Sequence, residues 1–336
     1  MATIYDIAKH CNISAATVSY VLNGRGDERK ISAKTQERVL RASKELGYDR
    51  IRPSQAQSSS PLIAVYWLQK QLEYTMPPLI TGINNAIASE ISPIDVAIRP
   101  YTQGHLYSQS HLWNEPTCDA AIIIGANTDD LNHLAQQPTK VPAVLFNREL
   151  AGYSSVTIDH EKAGRLAAEH AISRGGDSIL LVMNPSLLGL QSRGRSILET
   201  CSTHGIDMKN SVMYCTNNID DGYELGWEMI RKNQLKKVII CIYDMVALGI
   251  MRALNEAGIV VGEEIQVVAT SSGPSRLFAR SSPPMTVVDL KTELISERAL
   301  KMAIELGYWR ITTPQQIVIP PSIIYRHSCP MNDITI

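Results

Sequence analysis

Two helix starts lie so close together at the amino terminus that the chain between them has room only for a turn. Thr3-Ile4-Tyr5-Asp6 sets a hydroxyl three residues before an acid, the spacing of a capping box, and the helix it opens has an apolar face of Ile4, Ile7, Ala8 and Cys11. Ser14 can cap a second helix over 15–22, and only Asn12 and Ile13 separate the two, which forces a helix-turn-helix. On that second helix Val18, Val21 and Leu22 share one face, leaving Ala15, Ala16, Ser19 and Tyr20 to look outward. A third helix starts at Ser32, runs through Val39, Leu40 and Ala42 to Leu46, and stops at Gly47. Three short helices are about the minimum that can bury a core.

The charge is distributed unevenly. The chain of 336 residues has a net charge of −1, yet residues 1–52 carry ten Lys and Arg against six Asp and Glu, so the helical end is basic and points to an anionic partner. Hydroxyl and basic groups cluster around the second helix (Thr3, Ser14, Thr17, Ser19, Arg25, Arg29, Lys30), as contacts to phosphates require. Small residues at its amino-terminal end, Ala15 and Ala16, suit close approach to a groove floor. The bland alternative is a helical interaction module with a solvated charged face, which leaves the hydroxyl cluster unexplained.

Residues 53–61 form a polar stretch bracketed by Pro53 and Pro61 and without a large apolar residue, the composition of a linker. The expected organisation is therefore a helix-turn-helix domain over 1–52, a linker over 53–61 and a large body over 62–336. In the body short β-rich runs (62–67, 95–98, 120–125, 143–146, 178–183, 212–215, 238–242, 265–270) alternate with helical stretches (79–90, 161–174, 222–232, 245–257, 293–306). Apolar strands separated by amphipathic helices argue for parallel sheets covered on both faces, and some 275 residues exceed one comfortable α/β core, so two lobes are expected. Disorder is excluded by 44% hydrophobic residues. No apolar run approaches the roughly 18 residues of a membrane span, and residues 1–5 lack a basic n-region followed by an h-region, so a soluble cytoplasmic protein without membrane partners is expected. The six cysteines are scattered without a C-x-x-C pair and read as buried thiols; no metal and no cofactor is expected.

A two-lobed α/β body binds ligands outside the carboxyl ends of its strands. Those ends supply Tyr66, Trp67, Phe146, Asn147, Arg148, Tyr243, Asp244, Thr270, Ser271 and Ser272, aromatic faces beside hydrogen-bonding groups. Catalysis finds little support, since G-x-x-x-x-G-K-[ST], G-x-S-x-G and H-E-x-x-H are all missing. Asp119, Asp159, Asp244 and Asp289 sit at element boundaries, where capping is the ordinary use of an aspartate. Two alternatives are a ligase or kinase fused to a DNA-binding module, which a thermal shift with ATP and magnesium would reveal, and a solute-binding receptor, which leaves the basic module without a role.

Thr3-Ile4-Tyr5-Asp6-Ile7-Ala8 followed by Ile13-Ser14-Ala15-Ala16-Thr17-Val18-Ser19-Tyr20-Val21-Leu22-Asn23 resembles the DNA-binding signature of the lac-repressor-like (LacI/GalR) transcription regulators. Further along, Phe146-Asn147-Arg148 resembles that family's F-D-R, and Tyr243-Asp244-Met245-Val246-Ala247-Leu248-Gly249 its N-D-x-x-A-L-G. The resemblance implies an N-terminal three-helix helix-turn-helix domain plus a two-lobed periplasmic-binding-protein-like α/β ligand domain, acting as a homodimeric repressor under the control of a small-molecule effector. Two copies would read a pseudo-palindromic operator in double-stranded DNA, half-sites about one helical turn apart. It further implies that Ala15, Ala16 and Tyr20 face base edges, that Ser14, Thr17 and Ser19 lie nearer the backbone, and that Asn23 belongs to the interface. Arg193 occupies the place of an arginine that binds effector hydroxyls or acids.

The departures from the family pattern carry their own implications. Ser271 stands at the aspartate that commonly accepts sugar hydroxyls, Tyr243 at the usual asparagine and Asn147 at the F-D-R aspartate, while Arg148 and Arg193 remain. Such a pocket, with few acids, prefers an anionic or phosphorylated sugar over an uncharged hexose. In similar proteins a linker helix forms on DNA and wedges a leucine into the minor groove. Here 53–61 contains no Leu, Ile, Phe or Met, the nearest candidate is Ile51, and a nearly straight operator is expected.

Overall fold

The computed structural model describes residues 3–22, 29–46, 60–68, 72–90, 93–114, 117–184, 190–216, 218–309 and 313–331. The chain divides into two compact units, Met1–Ser59 and Ser60–Ile336. Asn23, Arg25, Gly47, Ile51 and linker positions 53–59 lie outside the described residues.

The first unit consists of α1 (Ile4–Cys11), α2 (Ala15–Leu22) and α3 (Ala33–Glu45). Each helix starts on a hydroxyl that takes the amide three residues on: Thr3 Oγ1 from Asp6 at 3.2 Å, Ser14 Oγ from Thr17 at 3.0 Å, Ser32 Oγ from Thr35 at 3.2 Å. Asp6 returns the bond to the Thr3 amide, closing the capping box. Asn12 makes the turn with φ of 47°, a left-handed conformation that asparagine tolerates. Ile7, Ala8, Cys11, Val18, Val21, Val39 and Ala42 form the core, whereas Leu40 is exposed.

The second unit holds two six-stranded sheets. The first is built from β1 (Leu62–Leu68), α4 (Leu72–Ala88), β2 (Asp95–Tyr101), β3 (Ala120–Ile124), α5 (Thr128–Gln136), β4 (Ala143–Phe146) and β5 (Ser154–Ile158). The chain then crosses through α6 (His160–Gly175) into a second sheet with β6 (Ile179–Met183), α7 (Leu190–Thr203), β7 (Val212–Tyr214), α8 (Ile219–Arg231), β8 (Val238–Cys241), α9 (Asp244–Glu256), β9 (Gln266–Ser271), α10 (Ser275–Ala279) and β10 (Thr286–Asp289). Through α11 (Thr292–Trp309), packed on α4, it returns to the first sheet as β11 (Gln316–Ile319) and ends in the second as β12 (Ser322–Ile324).

The strand orders are β11-β5-β4-β3-β1-β2 and β12-β10-β9-β8-β6-β7, all pairs parallel except β10 with β12. Set side by side, β2-β1-β3-β4-β5 and β7-β6-β8-β9-β10 are one topology used twice. In each sheet the order reverses once, between β1 and β3 and between β6 and β8. That places a ligand crevice beyond the carboxyl ends of the strands.

The expected lobes and parallel sheets are present, with four strands (β5, β10, β11, β12) and helices α5, α7 and α10 beyond those foreseen. Helix α4 begins at Leu72 rather than near residue 79 and runs through Pro77 and Pro78. All six cysteines are free; four are buried, and Cys118 and Cys215 are half-buried rather than fully so. Among the described residues no helix is long and apolar enough to cross a membrane.

Candidate functional site

The first unit offers a reading face on α2. Ala16 and Ser14 are exposed and Thr17, Ser19 and Tyr20 are half-buried, whereas Ala15, expected to look outward, is half-buried against the core that contains Val18 and Val21. Ser14 and Thr17 share a hydroxyl-to-hydroxyl bond of 2.7 Å, so the helix start is tied together by the same groups that the sequence assigns to phosphate contact. Beyond the helix the exposed Arg29 lays its guanidinium over the Tyr20 ring, 4.8 Å from the centroid, and Lys30 is exposed beside it with φ of 54°. Thr3 is exposed at the start of α1.

In the second unit a charged cluster forms where strand ends of both sheets meet the start of α6. Arg148 lies two residues beyond the end of β4; its Nε donates to the Ala126 carbonyl at 2.7 Å and its Nη1 to the Asn147 carbonyl at 2.6 Å, which fixes the guanidinium across the strand ends. Arg193 comes from α7 and is buried, its Nε without a hydrogen-bond partner among the described residues. Burial lowers it to about 10, so it remains charged at neutral pH beside Tyr243, Asp244 and Arg148. Tyr243, preceding α9, has a buried hydroxyl without a partner among the described residues, and burial raises it above the usual phenol range. His160, the first residue of α6, completes the group. Both of its ring nitrogens are shut from solvent and have no partner among the described residues, and burial, reinforced by Arg193 and Arg148, pushes it down to about 3, so the imidazole is neutral.

Arg193 is held in place by close packing of α7 on α6. A Cβ at Gly164 would stand 2.4 Å from the Arg193 carbonyl oxygen and 2.9 Å from Ser196 Cβ, an approach only glycine permits. Ser196 adds a 2.7 Å bond from its hydroxyl to the Glu161 carbonyl, and Ile197 fills the core.

Next to this cluster lies a cavity of about 360 Å³ whose wall includes Asn147, Arg148, Thr157, His160 and Ser192. Glu149, Asp159 and Glu161 also line it, Glu149 and Glu161 being exposed. The cleft is therefore less poor in acids than the departures from the family pattern implied. Asp159 is engaged as the cap of α6, accepting the Lys162 amide at 2.8 Å.

Several residues singled out from the sequence have their polar atoms engaged within the protein. Asp244 Oδ2 accepts from Ser271 Oγ, Ser272 N and Gly273 N, and its Oδ1 from Met245 N. Asn147, in a left-handed conformation, takes the Ile158 amide at 3.0 Å on its side-chain oxygen and so ties β4 to β5. Trp67 and Phe146 sit in the apolar cluster that spans both sheets, and the Trp67 indole N–H is buried without a partner. Tyr66 points to the opposite face of β1, in a separate cluster, its hydroxyl accepting from Arg99 at 3.3 Å. Thr270 donates to the Ile242 carbonyl. His160 was missed because β5 was: without that strand, the strand end that carries His160 had no signal.

A helix-turn-helix with a hydroxyl-lined reading helix, carried on one chain with two α/β lobes around a charged cleft, defines a ligand-responsive DNA-binding transcription regulator. Residues 3–50 match the model for bacterial regulatory proteins of the lacI family and residues 168–329 that for a periplasmic binding protein-like domain. The chain is 26% identical to the HTH-type transcriptional repressor MelR of Bacillus subtilis, covering 98% of each. Among solved structures it is similar to a LacI family transcription regulator from Clostridium acetobutylicum, with a TM-score of 0.75, 26% identity, and coverage of 80% of this chain and 100% of that one. The lac repressor dimer bound to operator and an anti-inducer shares the fold, with a TM-score of 0.68, 22% identity, and coverage of 98% of this chain and 99% of that one. The chain belongs to the lacI family of bacterial regulatory proteins, and its function is regulation rather than catalysis.

Proposed function

We propose that the protein is a cytoplasmic, homodimeric repressor that reads a pseudo-palindromic operator through α2 and is controlled by an anionic small molecule, a phosphorylated or acidic sugar, bound between its lobes. The observation that carries the effector reading is the buried Arg193, its Nε without a partner among the described residues, beside Arg148, which lines the neighbouring cavity. A buried donor without a partner costs about 1–3 kcal/mol, a cost that an anionic ligand between the lobes offsets by charge-assisted bonds. Asp244 is the nearest buried acid, and its oxygens are already bonded to the 271–273 turn and Met245, so it does not compete for the arginine by direct bonding.

In this reading Arg148, Arg193 and Tyr243 contact the ligand, Trp67 and Phe146 shape its apolar side, and Asn147, Asp244 and Ser271 hold the strand ends that place them. On DNA, Ala15, Ala16 and Tyr20 meet base edges and Thr3, Ser14, Thr17, Ser19, Arg29 and Lys30 the backbone, with Asn23 and Arg25 assigned from the sequence alone. Because each subunit reads only a half-site, two are needed. The leucine-free linker leaves the operator nearly straight.

The test has two arms. Duplexes selected by the purified protein, sequenced with and without a metabolite panel, identify operator and effector class; no selected duplex would refute the operator assignment. Calorimetry of Arg193→Ala is expected to show ligand affinity reduced by about 1.5–3 kcal/mol with operator binding retained. Unchanged affinity would refute the role of Arg193.

A further inference from the structure

We propose that His160 determines the specificity of this cleft, its imidazole accepting a hydrogen bond from a ligand hydroxyl through one ring nitrogen and donating its N–H to a ligand oxygen through the other. The proposal rests on the effector reading above and deepens it by naming the side chain that reads the hydroxyl groups of such an anion.

His160 opens α6 directly after β5, where the chain passes from one sheet to the other, and it lines the cavity with Arg148 and Ser192. Neither ring nitrogen has a partner among the described residues, and both are closed to solvent. Buried, and with two guanidinium groups nearby, the ring stays neutral, so it presents one N–H and one lone pair. Arg193 Nε, also unpaired, can only donate, and the Tyr243 hydroxyl can do either. The cluster therefore asks a ligand for several acceptors and at least one donor.

A bare carboxylate or a phosphate dianion brings acceptors only. It would satisfy the arginine and leave the imidazole lone pair unmet, a cost that a site built for a hydroxyl imposes on any analogue lacking it. A hydroxyl close to the anionic group supplies the missing proton. On the open side of the cavity the exposed carboxylates Glu149 and Glu161 are further acceptors for hydroxyls. A polyhydroxylated anion, a sugar phosphate or sugar acid, matches all of these groups, with charge on the arginines and hydroxyls on His160 and the carboxylates.

The experiment uses the full-length protein and a calorimetric panel of hexose 1-phosphates, hexose 6-phosphates and aldonic acids, each set against a hydroxyl-free counterpart of equal charge: inorganic phosphate, an alkyl phosphate or an unsubstituted carboxylate. Wild type should prefer the hydroxylated member of the best-binding pair by about tenfold or more. His160→Asn, whose amide also offers one donor side and one acceptor, should keep that preference to within a few-fold. His160→Leu should lose it, binding the hydroxylated probe about tenfold more weakly while the bare anion changes little. Nitrogen-15 spectra of the wild-type imidazole give an answer without substitution: a His160 ring nitrogen must shift on addition of the bound probe. Retention of the preference in His160→Leu, or an unmoved imidazole, overturns the assignment while Arg193-dependent binding leaves the anionic reading standing. Absence of binding across the panel, or binding indifferent to Arg193→Ala, overturns that reading and this proposal together.

Discussion

Ser271 Oγ donates a 2.9 Å hydrogen bond to Asp244 Oδ2, and both residues are buried. The same carboxylate oxygen takes the amides of Ser272 at 3.0 Å and Gly273 at 2.9 Å, while Oδ1 takes that of Met245 at 2.8 Å. One acid thus stitches the end of β9 to the start of α9. Burial nevertheless raises its pKa, an effect that outweighs the four bonds. Asp244→Ala strands several donors at once and should cost several kcal/mol in urea denaturation, whereas Ser271→Ala removes one bond and should cost about 1 kcal/mol with ligand affinity nearly unchanged. A stable Asp244→Ala protein would show that the turn holds itself.

The Arg29 guanidinium lies over the Tyr20 ring, so in the proposed reading a residue assigned to the DNA backbone is coupled to one assigned to base edges. With the cation removed, the ring loses about 0.5–1 kcal/mol of orientation. Arg29→Ala should therefore weaken all operators, lower the salt slope of log K by about 1 and also blur the preference at the base pair Tyr20 meets. Tyr20→Ala should change that preference with little change in salt slope. Binding titrations from low to high salt against an operator library separate the two; a salt slope unchanged in Arg29→Ala would remove it from the phosphate contacts.

Gly164 brings a third consequence of close approach. Replacing it by alanine puts a methyl 2.4 Å from the Arg193 carbonyl, backbone that cannot rotate away, so α6 and α7 must separate. Overpacking of this kind costs about 1–3 kcal/mol and here also moves the guanidinium proposed to bind the ligand. Gly164→Ala should lower both thermal stability and ligand affinity while leaving the first unit's DNA contacts intact. Calorimetry showing full ligand affinity would mean that Arg193 is positioned from the sheet and not from the helix pair.

Local chemistry made much of this legible in the sequence. The three hydroxyl caps at Thr3, Ser14 and Ser32, with two residues between α1 and α2, leave one arrangement for the first unit, and the apolar runs of β1, β3, β6 and β8 mark themselves by composition. Strand β5, Ser154-Ser155-Val156-Thr157-Ile158, does not, because three of its five residues carry hydroxyls. They are buried nonetheless, Ser154 accepting from Gln315 N and Thr157 donating to Glu149, bonds from residues that sequence distance conceals. The site follows the same division. Arg148, Arg193 and Tyr243 lie in motifs, whereas the engagement of Asp244 by residues 271–273 depends on pairing of β8 with β9, and His160 on recognising β5.

The neutral state of His160 gives stability a pH dependence of definite sign. In the unfolded chain the imidazole titrates near its ordinary value of about 6.5, while in the folded protein burial and the two arginines bring it to about 3. Between these values the unfolded chain binds a proton that the folded one refuses, so the contribution is fully present above about 6.5 and is lost progressively as pH falls towards about 3. Arg148 and Arg193 stay charged throughout, and Tyr243 stays neutral, so none of them reverses the sign. The carboxylates Glu149, Asp159 and Glu161 are shared with His160→Asn, and the comparison of the two proteins cancels their contribution. Between pH 7.5 and 4.5 wild type should lose about 2 kcal/mol more of its unfolding free energy than His160→Asn, read from parallel urea titrations. Curves that stay parallel across that range would place the imidazole in contact with water, and its two ring nitrogens would then be free to bond there.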